Sequence, residues 1–276
     1  LFPAVVRPEP RPPTNRLALG RYLASRGAYR VGAVLLEEAR LFGGDRRVIA
    51  QHLAPMYARL GDYKALATLP ASPLSAAERA RAEWLTENPV SLTGPDSVIV
   101  PFAPGTGSML GQIALIIGDD TVQATIDPAI TGLVLDESLG RRHAVRSFQP
   151  RDAAPSRSTV AVAREVRFGG IDGLTLSAVP AMLEPLGAAG RARIGVDVLE
   201  RLAPTFSVGT GQIVLRKNGR RPTAPADASR LPILVTPAGV AVVRGGVDPV
   251  TSDEGRALVG QRWRLDVRHL EIVAER

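Results

Sequence analysis

Apolar residues recur at every third or fourth position from residue 14 to about residue 69, which is the spacing of an amphipathic helix. Glycines interrupt this spacing at Gly27, at the pair Gly43-Gly44 and at Gly61. Because glycine often marks the end of a helix, these interruptions predict several short helices instead of one long helix. The first block of the chain is therefore predicted to be helical.

A further helix is predicted at 75–87, with Ser75 as its N-cap and Glu78 at the capping-box position. Pro89 ends this helix, and a turn at 94–96 opens a region of short apolar segments that have the length of strands. Additional helices are predicted directly after Asp136 and at 196–202. Strands are predicted at 97–102, 110–117, 121–126, 160–168, 174–179 and 212–215.

The C-terminal tail follows a basic, proline-rich stretch and returns to strand patterns at 233–235, 240–243, 263–267 and 270–273. It has too few residues for an ordinary domain, so we expect it to add strands to the β region or to form a small appendage. The whole pattern predicts an α+β multidomain protein. Its expected parts are a Pro-rich linker at 1–13, a helical region at 14–88, a β domain at 97–216, a basic Pro-rich linker at 217–230 and a β extension at 231–276.

One hairpin ends in an acidic residue. Two apolar strands, 112–117 and 121–126, meet at a tight turn, and the second strand leads directly into Asp127. After Asp127 come a proline, small residues, Gly132 and the apolar run 133–135. An acid at the end of a strand is a position where an ionisable group can be placed for chemistry. Asp127 is therefore the candidate reactive residue of the chain.

The segment resembles the active-site hairpin and loop of retropepsin-like aspartic proteases, the single-domain relatives of pepsin. Their pattern is an apolar strand, Asp-Thr/Ser-Gly, Ala, a small polar residue, Gly and an apolar run. Asp127 matches the catalytic Asp of this pattern, Thr131 the small polar position and Gly132 the glycine. The run 133–135 matches the apolar run.

A second signature of the same family is an apolar-Gly pair that opens a short helix, and Ile194-Gly195 resembles it. Residues 169–174 and 203–215 resemble later hairpins of the family, and 143–155 falls where the family has its substrate-covering flap. The resemblance covers about 98–215. It implies a mainly-β acid-protease barrel with short helices and a cleft that holds extended peptides by main-chain hydrogen bonds.

The chain departs from the family at the reactive tripeptide, which reads Asp127-Pro128-Ala129. Pro128 has neither the hydroxyl that braces the acidic loops in the family nor a backbone N–H. Ala129 has less conformational freedom than the glycine that it replaces. Aspartic protease chemistry also needs two carboxylates about 3 Å apart that share one proton. A chain with one such Asp would need a symmetric homodimer.

Three functions follow from these observations. The first is a degenerate, non-hydrolytic module that binds a protein or extended peptide through its cleft, at Pro128, Ala129, Thr131, Gly132, Ile194 and Gly195. The second is an active homodimeric aspartic endopeptidase in which Asp127 of each subunit is catalytic. The third is contact with nucleic acid or a membrane surface through the basic linker. A chance Asp after a strand of an unrelated β domain is the remaining alternative.

The helical region also repeats. Gly27 and Gly61 are separated by about 34 residues, and so are Tyr29 and Tyr63, which is the tetratricopeptide period. The turn regions around both glycines resemble the turn between the paired helices of that family. The resemblance covers roughly one and a half repeats, whereas about three are needed for a stack that supports itself. The region is therefore expected to lean on the next domain or on a partner; a generic array of helical hairpins is the alternative.

Charge and aromatic content bear on the third function. The net charge is +7, and aromatic residues make up 4% of the chain. Single-strand binding favours a stripe in which aromatic and basic residues alternate, and the chain has none. The basic run at 216–221 is therefore expected to be a solvated loop, and nucleic acid is a disfavoured partner.

Cysteine is absent, which excludes disulfides, thiolate metal sites and Cys nucleophiles. The three histidines, His52, His143 and His269, lack metal-ligand spacing, so neither a metal nor a cofactor is expected. No apolar run approaches the ~20 residues of a membrane span. The start at Leu1 and the Pro-rich residues that follow suggest a trimmed, exported bacterial protein of the periplasm. The cytoplasm fits the lack of cysteine equally well.

Overall fold

The structure is a computed structural model that describes residues 12–103, 111–127, 130–143, 145–149, 158–186, 191–207, 210–217, 229–235, 241–243, 262–266 and 271–275. The chain divides into two compact units. One unit comprises Leu1–Asn88 with Leu234–Ala238, and the other comprises Pro89–Ile233 with Gly239–Arg276. Pro128 and Ala129 lie outside the described residues.

The first unit is helical, as the apolar spacing predicts. Its helices pack in sequence order around fully buried side chains such as Leu36, Leu53, Met56 and Leu85. Burying one such side chain contributes about 1.5–3 kcal/mol. The helices are α1 (Pro13–Ser25), α2 (Tyr29–Leu41), α3 (Arg46–Leu60), α4 (Tyr63–Ala67) and α5 (Ala76–Glu87).

Local side chains fix the ends of these helices. Asp45 caps α3 by accepting hydrogen bonds from the backbone N–H groups of the first turn, and Gly61 ends α3 with a φ of 69°. Asp62 caps α4 in the same way as Asp45 caps α3. The predicted capping box of α5 is confirmed, because Ser75 and Glu78 each bond the other's backbone N–H.

The second unit is a mixed sheet with short helices, so the coarse α+β assignment is confirmed. The helices are α6 (Glu137–Arg142) and α7 (Val196–Glu200). The strands of the described residues are β1 (Ser91–Thr93), β2 (Ser97–Ala103), β3 (Gly111–Ile117), β4 (Asp120–Asp127), β5 (Leu133–Asp136), β6 (Arg146–Ser147), β7 (Thr159–Phe168), β8 (Leu174–Glu184), β9 (Ala192–Gly195), β10 (Thr205–Ser207), β11 (Gln212–Arg216), β12 (Ser229–Val235), β13 (Ala241–Val243), β14 (Arg262–Asp266) and β15 (Glu271–Glu275).

Six of these strands close into a ring in the order β3-β4-β9-β5-β8-β7, and the ring is completed where Ile116 of β3 pairs with Arg167 of β7. Alternate residues of each strand face the same side. The residues with no solvent exposure are apolar and fill the core, among them Leu115, Ile126, Leu133, Phe168 and Ile194. Hydrophobic burial on this side therefore sets the register of the ring.

Strand β9 lies between β4 and β5, although those two strands follow each other in sequence. It pairs parallel with β4 and antiparallel with β5. Strand β5 also pairs parallel with β8. The chain therefore makes a psi-shaped crossing, in which Ile130 and Gly132 lie against Gly195 at the end of β9.

Several predicted elements are corrected by the structure. The run 133–135 and the residues before Gly195 are strands in their own right, each ahead of a short helix. The strand predicted to stop at 179 continues past Pro180 to Glu184. Pro180 falls in a gap on one side of β8, because β1 pairs up to Ser177 and β5 starts at Ala181. A missing N–H is tolerated in such a gap.

Strands predicted in the C-terminal tail are present with shifted ends. Strand β15 pairs antiparallel with β12 and β14, and β14 pairs antiparallel with β10. The predicted hairpin at 203–215 is present as β10 and β11, and β11 pairs with β2. The tail strand β14 therefore extends the same sheet beyond β10.

Candidate functional site

The candidate acid lies at the psi-shaped crossing. Asp127 is the last residue of β4, and its register partner on β9 is Gly195. One position earlier, Ile126 pairs with Ile194, and both side chains are fully buried. The apolar core therefore ends directly below Asp127, whose side chain is 15% exposed.

The loop that follows Asp127 makes one main-chain hydrogen bond to β9 and one back to β4. The N–H of Gly195 donates to the Gly132 carbonyl at 2.8 Å, and the N–H of Ile130 donates to the Asp127 carbonyl at 3.5 Å. Thr131, between them, is exposed. Ile194, predicted to contact a bound peptide, is fully buried beneath the loop, where it supports the crossing from the core side.

Both glycines of the predicted site are required by close packing. A Cβ on Gly195 would lie 2.4 Å from Asp197 Oδ1 and 2.7 Å from the Ile130 carbonyl oxygen. Gly132 has a φ of +73°, and a Cβ there would lie 2.7 Å from the Pro180 carbonyl oxygen. These contacts explain why the segment carries glycine at both positions.

Asp197, in the first turn of α7, reaches the loop that follows Asp127. Its carboxylate accepts a hydrogen bond from the Gly132 N–H, at 3.0 Å from each oxygen. The two predicted signatures therefore meet in space, since the loop after Asp127 is held by a carboxylate from the segment after Gly195. Bonds of this charge-assisted kind are stronger than neutral ones.

Asp127 is paired within its own chain. Arg193 Nη1 lies 3.3 Å from Asp127 Oδ2, and Arg193 Nη2 lies 2.9 Å from Glu184 Oε2. Arg193 is on β9 and Glu184 is the last residue of β8. One guanidinium therefore links the acid at the end of β4 to a second acid two strands beyond β9.

The surroundings of this pair are polar. Thr125 is two residues before Asp127 and thus on the same face of β4, and it is the register partner of Arg193. Gln112 of β3 places its Nε2 atom 3.4 Å from Thr125 Oγ1. Asp127 therefore belongs to a band of polar side chains that crosses neighbouring strands.

Arg193 and Glu184 were missed by the sequence analysis. The signal for Arg193 was a charged residue between Ala192 and Ile194, which are both buried. Strand alternation indicates that Arg193 lies on the opposite face of the strand from Ala192 and Ile194. It does not identify the residue of a distant strand with which Arg193 pairs. The ion pair depends on the parallel pairing of β9 with β4, which the sequence analysis did not predict.

A second polar cluster lies at the β3–β4 turn. The carboxylate of Asp120 pairs with Arg142 and lies 3.0 Å from His143 Nε2. The hydrogen bond with His143 is the main cause that lowers the pKa of Asp120, and Arg142 lowers it further. A Cβ on Gly118 would lie 2.1 Å from His143 Nδ1, so the turn also makes room for the imidazole. Asp119 in the same turn is exposed.

Among the residues that the structure describes, no group of three or more acidic or histidine side chains is arranged to hold a metal ion. In the same part of the chain, no helix is long and apolar enough to cross a membrane. Around the crossing, the described residues include one guanidinium, two carboxylates besides that of Asp127, a hydroxyl and an amide. This set can hold charge and hydrogen bonds in fixed positions.

Comparison with solved structures finds a distant likeness. No family pattern and no curated protein matches the sequence. Among solved structures, the chain is similar to a retropepsin-like aspartic protease from Rickettsia conorii, with 12% identity and a TM-score of 0.31. The superposition covers 46% of this chain and 90% of the other. A TM-score of this size does not establish a common fold.

Proposed function

We propose that this chain is a protein- or peptide-binding module, built on a retropepsin-like fold, whose acidic site holds a ligand without hydrolysing it. One observation carries the proposal. Asp127 ends a strand beside Gly195 at a psi-shaped crossing, where the loop after Asp127 is bonded to the segment after Gly195. The two segments that resemble the family's signatures therefore lie at the same crossing.

The loss of hydrolysis is argued from the residues beside Asp127. Pro128 supplies no hydroxyl, and Ala129 replaces a glycine, so the brace of the acidic loops in the family is missing. Holding an extended peptide does not need the acid, because strand-like ligands are bound mainly through main-chain hydrogen bonds. The site can therefore keep its binding function after losing its chemistry.

The helical unit supports a role in protein contact. On α2, Val31 and Val34 are each 54% exposed, and Leu41 is 76% exposed. A groove of about 450 Å³ lies along α2 and the end of α3, lined by Val34 and Leu41 together with Tyr57 and acidic side chains. We include in the proposal that this tetratricopeptide-like unit is incomplete and needs a partner surface.

The test uses extended apolar peptides and unfolded proteins at several values between about pH 3 and pH 8. Wild type is expected to bind the peptides saturably, measured by fluorescence anisotropy, and to leave all of them uncleaved, measured by mass spectrometry. The matched control is the same peptide with N-methylated amides, which cannot make main-chain hydrogen bonds. It should bind much more weakly.

The variant Pro128→Thr with Ala129→Gly restores the family tripeptide and tests whether cleavage returns with it. Cleavage that appears in this variant and disappears when Asp127→Asn is added would place the defect at these positions. Turnover of a polypeptide by the unmodified chain, abolished by Asp127→Asn and blocked by a pepstatin-like inhibitor, would contradict the proposal. It would favour the second candidate, a homodimeric aspartic endopeptidase.

A further inference from the structure

Arg193 lies at the centre of the crossing. It pairs in register with Thr125 on β4 and with Val134 on β5, the two strands that flank β9. Asp127 is two residues beyond Thr125 on the same face of the sheet. The Arg193 side chain therefore reaches Asp127 by extending along this face past its own register partner. The position of Arg193 thus follows from the topology and not from its neighbours in sequence.

The guanidinium is held at both ends. Arg193 Nη2 donates to Glu184 Oε2 at 2.9 Å, and Nη1 donates to Asp127 Oδ2 at 3.3 Å. Because the guanidinium is a rigid planar fork, fixing one end with Glu184 orients the other end toward Asp127. Glu184 therefore acts as the anchor of the pair, and the three residues come from three different strands.

Solvent reaches this cluster only in part. The exposed fractions of the side chains are 15% for Asp127, 31% for Arg193 and 32% for Glu184. The Nε atom of Arg193 is buried and makes no hydrogen bond within the described part of the chain. The stem of Arg193 is therefore enclosed while its tip is aimed at two carboxylates. A half-shielded pair is screened less by salt than a pair at the surface.

The pair has a consequence for the chemistry of Asp127. Two carboxylates that share a proton must each turn an oxygen toward the other at about 3 Å. Arg193 Nη1 donates a hydrogen bond to Oδ2 of Asp127, so this oxygen is already engaged within the chain. We infer that Arg193 is a positioning residue that clamps Asp127 in this arrangement, with Glu184 as its anchor, and so keeps this carboxylate from pairing with that of a second copy.

The experiment measures how fast the Asp127 carboxylate is modified in the full chain. A water-soluble carbodiimide with glycinamide is applied near pH 6, and modification of Asp127 is quantified by peptide mass spectrometry. Arg193→Met is expected to raise the rate about twofold to fivefold, the range for an ion pair of partial exposure. Arg193→Lys, which keeps the charge, should restore most of the protection. Glu184→Gln should give an intermediate rate.

Two controls separate the clamp from a loss of folding. Arg164→Met removes an exposed arginine from β7 and should leave the Asp127 rate unchanged. In unmutated protein, raising the salt to about 1 M, where the Debye length is about 3 Å, should increase the rate, because screening weakens the pair. Because the salt measurement uses unmutated protein, the clamp can still be tested if a variant fails to fold.

Equal modification of Asp127 in wild type, Arg193→Met and Arg193→Lys, with no response to salt, would overturn the clamp. The readout contains no peptide ligand, so it is independent of whether the chain binds peptides. A clamp without peptide binding would refute the proposed function alone, and peptide binding without protection of Asp127 would refute the clamp alone.

Discussion

At the scale of single residues, three carboxylates are each held by specific partners. Asp127 is paired with Arg193, Asp197 accepts from the Gly132 N–H, and Asp120 is held by His143 and Arg142. Each partner comes from a residue far along the chain. Local sequence could locate Asp127 at the end of a strand, but it could not reveal which cation would face it.

Asp120 gives a prediction about pH. The pKa of Asp120 is lowered in the folded chain, chiefly by the hydrogen bond with His143, so folding favours its ionised form. The stability that Asp120 contributes is therefore present above the ordinary Asp pKa of about 4 and is lost as the pH falls through the lower folded value. We expect Asp120→Asn to lower the melting temperature near neutral pH and to have little effect in strong acid.

The matched control for that prediction is Asp119→Asn, which changes an exposed residue of the same turn. Thermal unfolding followed by circular dichroism across the acid range provides the measurement. If the cost of Asp120→Asn were the same at low and neutral pH, the ion cluster at the β3–β4 turn would not be the source of the stability.

At the scale of elements, the sequence and the structure agree where the determinants are local. The capping box of α5, the turn between β3 and β4 and the hairpin of β10 and β11 all depend on residues close in sequence. Strand β9 is different, because four residues with one arginine carry little periodicity. Its place between β4 and β5 is decided by buried contacts of Ile194 with distant strands. The local sequence therefore does not predict this strand order.

Gly195 gives a prediction about the crossing. The Cβ of Gly195→Ala would crowd Asp197 Oδ1 and the Ile130 carbonyl, so overpacking is expected to cost about 1–3 kcal/mol in the free energy of unfolding. Asp197→Ala removes the nearer obstacle. In that background the added cost of Gly195→Ala should be smaller, and denaturant unfolding of the four proteins in the double-mutant cycle measures the difference. Strictly additive costs would show that the two residues do not meet.

At the scale of the whole molecule, a helical unit with exposed apolar side chains and a sheet unit with a clamped acid belong to the same chain. The proposed function uses both features for contact with other proteins. The sequence analysis anticipated the α+β composition because helical spacing and strand-length runs occupy separate parts of the chain. It did not anticipate the polar band around Asp127, which exists only once the strands are paired.

The absence of cysteine makes the central claim directly testable, because any introduced cysteine is the only one. That claim is that Asp127 is held within its own chain and is not shared with a second copy.

Asp127→Cys and, as a control on β7, Arg164→Cys are each treated with oxidant, and dimers are quantified. A disulfide requires Cα atoms about 4.4–6.8 Å apart, so it reports close approach of the two copies. Our account predicts that Cys at 127 forms dimers no faster than Cys at 164, whereas fast and selective dimerisation through 127 would contradict it.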